Sequence, residues 1–200
     1  MNKTLIDKYL RSLPPKAAVL DAGCGTGNNS RYLQTIRKDL RLTGVDIDPA
    51  CKKQVPSGVA FFQGDVNQLK RFKDNSFDAV VCFHLLEHLT DPRQAIKELR
   101  RVLKKNGLMF VEAPHWVCTF LPIGTNFWDD PTHLRPHSRG SFAELFKEFT
   151  VLCLETDEPI MFHLPELYDI PRLSLTHAVR KVLSFFGLFR IAVFLIAKKG

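Results

Sequence analysis

The chain has 200 residues, 45% of them hydrophobic, and its 28 Lys+Arg against 21 Asp+Glu leave a formal charge of +7. That hydrophobic share supports a sizeable core and excludes a disordered, collagen-like or coiled-coil chain. The length suits one domain of about 100–200 residues.

Met1–Leu13 mixes Lys3, Asp7, Lys8 and Arg11 with apolar residues and lacks the apolar stretch of a signal peptide. A short helix within residues 1–16 and a cytoplasmic protein are expected. Cys24, Cys51, Cys82, Cys118 and Cys153 are widely spaced and form no C-x-x-C pair. This argues against a disulfide framework or a cysteine zinc site and fits a reducing compartment.

Ala17–Asp21 reads as an apolar strand running into a glycine-rich turn, and Asn28–Lys38 spaces Tyr32, Leu33 and Ile36 as a helix does. Arg41–Ile47 is a second strand ending in acids, and Pro49 opens a helical segment at its first turn. Val59–Gln63 and Phe77–Phe83 are the third and fourth strands. Asp91 caps a helix that starts at Pro92, continues through Leu103 and stops at Asn106-Gly107. Leu108–Ala113 is a fifth strand, closed by Pro114.

His115–His137 carries Pro122, Gly124, Pro131 and Pro136 beside Trp116 and Trp128, the pattern of a long irregular loop. Long ordered loops in compact domains are usually functional. Ser138 caps a helix to about Phe149, Val151–Glu155 is a strand, Arg172–Phe186 is a basic amphipathic helix and Arg190–Lys198 is the last strand. Pro159, Pro165 and Pro171 break the segment 159–188, which reads as a lid-like insert over an acceptor pocket. Its basic helix, 172–188, also suits peripheral contact with an anionic membrane surface. Val182–Ala197 is shorter than the ~18–20 residues a membrane-spanning helix needs, and Arg190 interrupts it.

The run Val19-Leu20-Asp21-Ala22-Gly23-Cys24-Gly25-Thr26-Gly27 carries the chemistry. A strand ends in an acid, and glycines follow at alternate positions before a helix whose first N–H groups are unpaired. Nineteen residues past Gly27, Asp46 ends the next strand, where a carboxylate can accept both hydroxyls of a ribose. Gly64-Asp65-Val66 ends the third strand and sets an acid beside where adenine would lie. No Gly-Lys-Ser/Thr occurs, so a phosphate-binding P-loop is absent, and the spacing is G-x-G-x-G instead of the dinucleotide G-x-G-x-x-G. A short loop with an acid ahead of it suits a ligand that has no pyrophosphate and carries a cationic group.

With these residues the sequence resembles the class I S-adenosylmethionine (SAM)-dependent methyltransferases, in the small-molecule branch related to ubiquinone-biosynthesis methyltransferases. Five stretches carry the likeness in order: Leu20–Gly27, Gly44–Asp48, Gly64–Val66, Phe77–Leu89 and Leu99–Gly107. The resemblance implies one α/β domain over residues 1–200, Rossmann-like and doubly wound. Its sheet would be mostly parallel and seven-stranded with an antiparallel last strand, and helices would cover both faces. It implies SAM as methyl donor, S-adenosylhomocysteine as product, and no metal. Asp21 and the loop Gly23, Cys24, Gly25 and Gly27 would hold the methionine end. Asp46 and Ile47 would hold ribose and adenine, Asp65 and Val66 the adenine edge, and Phe83 and His84 would lie near the methyl group. Only eighteen residues precede Val19, so a cap over SAM would be one short helix or come from elsewhere.

Trp128-Asp129-Asp130-Pro131-Thr132-His133-Leu134-Arg135-Pro136-His137 resembles a D-P-T-H-x-R-P element of some of these enzymes. Here His133, with His84, is a candidate catalytic group, since an imidazole can take a proton near neutral pH. Arg135 could clamp an anionic acceptor, and Trp128 and His137 would line its site. A small-molecule acceptor, hydrophobic or anionic, is the expected partner. Three other readings compete. His84-Leu85-Leu86-Glu87-His88 fits an inverted zinc-hydrolase pattern with His84 and His88 on one helix face. The +7 charge suggests RNA methylation, although the basic residues are dispersed and no Pro-Pro-aromatic motif follows the fourth strand. A non-catalytic SAM-binding protein would carry the same pocket.

Overall fold

The computed structural model describes residues 3–120, 126–156 and 192–200. In chain order the regular elements are α1 (Lys3–Arg11), β1 (Ala18–Ala22), α2 (Asn28–Ile36), β2 (Arg41–Asp46), β3 (Val59–Gln63), β4 (Phe77–Phe83), α3 (Pro92–Val102), β5 (Leu103–Pro114), α4 (Arg139–Leu145), β6 (Phe149–Thr156) and β7 (Ala192–Lys199). Short 3₁₀ turns lie at Pro49–Lys53, Leu86–His88, Trp116–Phe120 and Phe127–Asp129.

The strands form one seven-stranded sheet in the order β3-β2-β1-β4-β5-β7-β6. β1 to β5 run parallel, and β7 is antiparallel to both neighbours, β5 and β6. The expected Rossmann-like, doubly wound architecture is therefore present. The strand order reverses between β1 and β4, and such sheets bind ligands outside the carboxyl ends at that reversal.

A parallel sheet covered on both faces needs strands that are apolar on both sides. From Ala79 onward β4 alternates: Val80 and Cys82 pack with Ala95, Ile96, Leu99 and Val102 of α3 and Phe142 of α4. Ala79, Val81 and Phe83 face Ile6 and Leu10 of α1 and Leu33 of α2. Phe77 breaks the alternation by sharing the face of Val80. The ladder explains this, because its register with β5 shifts between Phe77–Leu103 and Ala79–Leu108. Lys104–Gly107 forms that irregularity, with Asn106 at φ 63° and Lys104 Nζ on Asp78 Oδ1 at 2.7 Å. The strand expected at Leu108 thus starts at Leu103, directly after α3.

Asp91 caps α3 as expected, its Oδ1 accepting the N–H groups of Arg93 and Gln94 at 3.1 Å. α4 is shorter than its sequence pattern suggests. Phe142, Phe146 and Phe149 have helical spacing and pack in a row with centroids 5.7 Å apart. The chain nevertheless turns after Phe146, and Phe149 already opens β6. The lid-like insert 159–188 and the helix Arg172–Phe186 lie outside the described residues. Among the described residues no helix is long and apolar enough to cross a membrane.

Arg37, just past α2, joins the N-terminal segment to the sheet. Its Nη1 donates to the carbonyls of Leu10 and Leu13 at 3.1 and 2.7 Å, and its Nη2 to that of Pro14 at 2.9 Å. Asp39 receives the remaining donors at 3.0 and 2.6 Å, which holds its carboxyl well below the usual carboxylate range. The Arg37 side chain is 13% exposed and its bonds to Leu10 and Leu13 are partly buried, whereas those to Pro14 and Asp39 face solvent. Arg37→Ala should lower the unfolding free energy by roughly 1.5–3 kcal/mol, the range for hydrogen bonds to a charged group. Arg37→Lys should recover little, because an ammonium cannot reproduce the fork. Denaturant titration of the three proteins checks this.

Candidate active site

The loop after β1 is tied to the end of β2. Gly23 and Cys24 donate their N–H groups to Val45 O at 2.9 and 3.0 Å, and Gly25 donates to Asp46 Oδ2 at 2.8 Å. Gly25 has φ 47°, and a Cβ built on it would meet nothing within 4 Å, so its outer side is open. Gly27, at φ 81°, is needed for another reason, since a Cβ there would lie 2.6 Å from Pro56 Cδ. Cys24 turns inward: it is buried, its sulfur fills the space above Gly44, and burial pushes its thiol up to about 12. Only its backbone belongs to the candidate cradle.

Asp21 is wholly buried at the end of β1. Its Oδ2 accepts the Ser30 hydroxyl at 2.7 Å, while Oδ1 has no hydrogen-bond partner among the described residues. Burial pushes its pKa up to about 6, so at neutral pH it is an ionised carboxylate with one oxygen unmatched. Asp46 uses both oxygens on backbone, Oδ2 for Gly25 and Oδ1 for the N–H of Asp48 at 3.0 Å. Each carboxylate oxygen has two lone-pair sites, so hydroxyls can still be accepted. Ile47 stands beside it 72% exposed. Asp65 Oδ1 is held by the backbone and side chain of Asn67 at 2.8 and 2.9 Å, and Val66 is buried in the core. Asp21, the glycine loop, Asp46, Ile47 and Asp65 thus share the carboxyl ends of β1, β2 and β3.

The end of β4 differs from its expected form. Phe83 packs its ring inward against Phe194, so only its backbone reaches the strand end. His84 has φ 52° and is gripped by two acids, Nε2 lying 3.0 Å from Glu112 Oε1 and Nδ1 3.3 Å from Glu87 Oε1. Burial acts to lower its pKa, but the two carboxylates outweigh it and raise the value to about 9. His84 is therefore an imidazolium at neutral pH and has no lone pair for a proton. His84 and His88 also do not share a helix face, because the chain leaves the strand at His84 and makes only a 3₁₀ turn over Leu86–His88. The zinc pattern read there is not realised as a helix.

In the loop after β5, Asn126 caps Phe127–Asp129, and Asp130 Oδ1 accepts both the N–H and the hydroxyl of Thr132 at 2.9 and 2.6 Å. The N–H groups of Leu134 and Arg135 reach Glu87 O at 2.8 and 3.4 Å, which docks the loop on the β4 turn. His133 lies over Phe127, with Nδ1 2.6 Å from the Phe127 carbonyl. Trp128 is 55% exposed and stands edge-on to Phe127. Arg135 Nη2 donates to Thr90 O at 2.8 Å and lines a cavity of about 260 Å³ with Arg93 and Ser141. His137 also borders that cavity, yet it offers almost no surface to it. It is 2% exposed, its ring stands against Phe142, and burial lowers its pKa, so it is a neutral interior pin.

Sequence reasoning missed Ser30 and Glu112. Ser30 carried no signal, being an ordinary first-turn serine. Glu112 did carry one: it is the single charge in the apolar run Leu108–Ala113.

Comparison with known proteins agrees with this geometry. A methyltransferase-domain family model matches residues 20–111. The chain is 36% identical over 129 residues to the 2-methyl-6-phytyl-1,4-hydroquinone methyltransferase of Synechocystis sp., covering 61% of this chain and 39% of that protein. It is 30% identical over 156 residues to the ubiquinone biosynthesis O-methyltransferase of Xanthomonas axonopodis pv. citri, covering 66% and 64%. The chain therefore spans less than two thirds of the length of these curated relatives. A solved SAM-dependent methyltransferase from Archaeoglobus fulgidus superposes with TM-score 0.69 at 24% identity, over 98% of this chain and 92% of that one. Phosphoethanolamine N-methyltransferase 2 of Haemonchus contortus, solved with SAM, superposes with TM-score 0.68 at 18% identity, over 98% of this chain and 52% of that one. These structural likenesses speak for the fold, and the sequence matches for the family. Residues 20–111 thus belong to the methyltransferase-domain family, and the strand order around them is that of the class I SAM-dependent methyltransferase fold.

Proposed function

We propose that this chain binds SAM at the carboxyl ends of β1, β2 and β3 and transfers its methyl group to a small, hydrophobic or anionic acceptor. The observation that carries the reading is Asp21 Oδ1, a buried carboxylate oxygen without a hydrogen-bond partner among the described residues, beside an open glycine loop. An ionised group so placed calls for a cationic ligand. SAM, when bound, supplies a methyl group already activated on a sulfonium.

The chain's own part is binding and orientation. Asp21 faces the cationic methionine end, Asp46 accepts from the ribose hydroxyls, and Ile47 offers apolar cover to the adenine. Asp65, its carboxylate fixed by Asn67, meets the adenine edge. Holding two reactants in line contributes up to ~7–11 kcal/mol in well-oriented systems. At the acceptor side, Trp128 and Arg135 offer an apolar face and a guanidinium. His133 is the candidate base: its Nδ1 proton goes to the Phe127 carbonyl, which leaves the Nε2 lone pair to take a proton. Relatives named for a phytyl hydroquinone and for ubiquinone biosynthesis favour a hydrophobic acceptor.

Calorimetry should show SAM binding that Asp46→Ala weakens roughly 10–100-fold, the loss of about one charge-assisted hydrogen bond, with the circular dichroism spectrum unchanged. Binding of NAD without SAM would overturn the reading.

Asp21 adds a pH dependence. Its folded pKa of about 6 lies above the ordinary 3.8, so its ionised form weighs against the folded state at neutral pH. That weight is relieved as the pH falls through about 6. A cation prefers the ionised form, so SAM affinity should fall as the pH drops below about 6. Asp21→Asn should bind SAM weakly at pH values where wild type binds well, yet be at least as stable to heat.

With a hydroxyl acceptor and a chelator present, His133→Ala should lose about 100-fold or more in turnover together with the acid limb of the pH–rate profile. SAM binding should be retained. Unchanged turnover and pH profile would remove His133 from this role.

A further inference from the structure

The β4 turn and the loop after β5 bring three possible metal ligands together. One donor atom from each of Glu87, His88 and His133 lies within 4.8 Å of the others. Glu87 is wholly buried, and neither of its oxygens makes a hydrogen bond among the described residues. Its polar neighbour is His84, 3.3 Å away as an ion pair and shared with Glu112. His84 meets one side of this carboxylate and leaves Oε2 without a hydrogen-bond partner among the described residues, a costly state for a buried polar atom unless a donor or a further cation meets it.

Both imidazoles are oriented as metal ligands are. Thr132 Oγ1 gives its proton to Asp130 Oδ1 at 2.6 Å, so at 2.8 Å it can only accept from His88 Nδ1. The Phe127 carbonyl likewise only accepts, at 2.6 Å, from His133 Nδ1. Each ring then carries its lone pair on Nε2, and the ring centroids are 4.7 Å apart. Ligating histidines almost always spend their second N–H on such an oxygen, which sets the tautomer and fixes the ring. Asp130 Oδ2, 3.8 Å from His133 Nε2, adds an oxygen at the rim.

We propose that Glu87, His88 and His133 form a binding site for a divalent first-row transition-metal ion, for which zinc is the probe. Two imidazoles and a carboxylate suit such ions, whereas magnesium and calcium select oxygen ligands throughout. Tetrahedral bonds of about 2.0–2.1 Å place donors about 3.3 Å apart, so the site must contract. The ion clips the loop after β5 to the β4 turn, a junction already made by the Leu134 N–H on Glu87 O at 2.8 Å. The inference does not depend on the SAM reading and touches the acceptor reading only at His133. In the metal-free protein its Nε2 lone pair takes a proton, and in the loaded protein it holds the ion.

The test uses chelator-treated protein without a histidine tag, titrated with Zn²⁺ by calorimetry and with Co²⁺ by visible absorption. One equivalent should bind, with a cobalt spectrum of low coordination number. His88→Ala and His133→Ala should each weaken binding at least about 100-fold. Thr132→Val keeps all three ligands, removes the acceptor on His88 Nδ1 and should weaken binding about 10-fold, within the range for outer-shell changes. Calorimetry with SAM on the same samples shows whether each variant is folded and tests the donor site separately. Failure of wild type to bind one equivalent overturns the proposal. So does binding that survives His88→Ala/His133→Ala unchanged.

Discussion

The hydrogen bond from Gly25 N–H to Asp46 Oδ2 is the constraint on which the proposed donor half of the site depends. With the two bonds that Gly23 and Cys24 send to Val45 O, it makes β2 the template for the loop after β1. The close packing of Gly27 on Val55 and Pro56 fixes the far end of the same loop. A loop held at both ends by backbone enters binding already ordered, and little conformational entropy is then lost on association. The acid expected to meet a ribose is thus also the acid that shapes the loop beside it, so the two roles are inseparable in any Asp46 variant that lacks a carboxylate.

The end of β4 is governed by charge. Glu87 and Glu112 are buried and grip one imidazole, which keeps His84 protonated through the neutral range. In a low-dielectric setting such a pairing is strong, and it removes His84 from proton transfer while making it a fixed positive point at the strand end. The backbone carbonyl of Glu87 receives the loop after β5. One residue therefore joins the electrostatics of the strand end to the position of the loop after β5.

Most of the sheet was legible in the sequence because period and punctuation agree there. Val59–Gln63 and Phe77–Phe83 match β3 and β4 residue for residue, and Asp91-Pro92 starts α3 where a cap and a first-turn proline place it. Legibility fails where one pattern serves two structures. The spacing of Phe142, Phe146 and Phe149 reads as one helix, yet the last ring reaches the row from a strand. Lys104–Gly107 carries a helix-stop signal and also sits inside a strand, as a break in register. At the site, the glycine loop and its acids could be read directly, since their backbone demands are local. The states of His84 and His137 could not, because each depends on packing between distant parts of the chain: Glu112 pairs with the first, and burial beside Leu86 and Glu87 sets the second.

The antiparallel β7 has a consequence for how such a site can diversify. Ala192 pairs with Pro114, and Thr156 with Val193, so the chain leaves β6 and re-enters β7 at the edge of the sheet where β5 ends. The end of β6 and the start of β7 are therefore neighbours, while the candidate donor residues, Asp21 to Val66, lie earlier in the chain and on other strands. The closure entropy of such a connection grows by only ~0.6 kcal/mol per doubling of its length. The sequence between these two strand ends can therefore change in length without altering the β6–β7 ladder or the carboxyl ends of β1, β2 and β3.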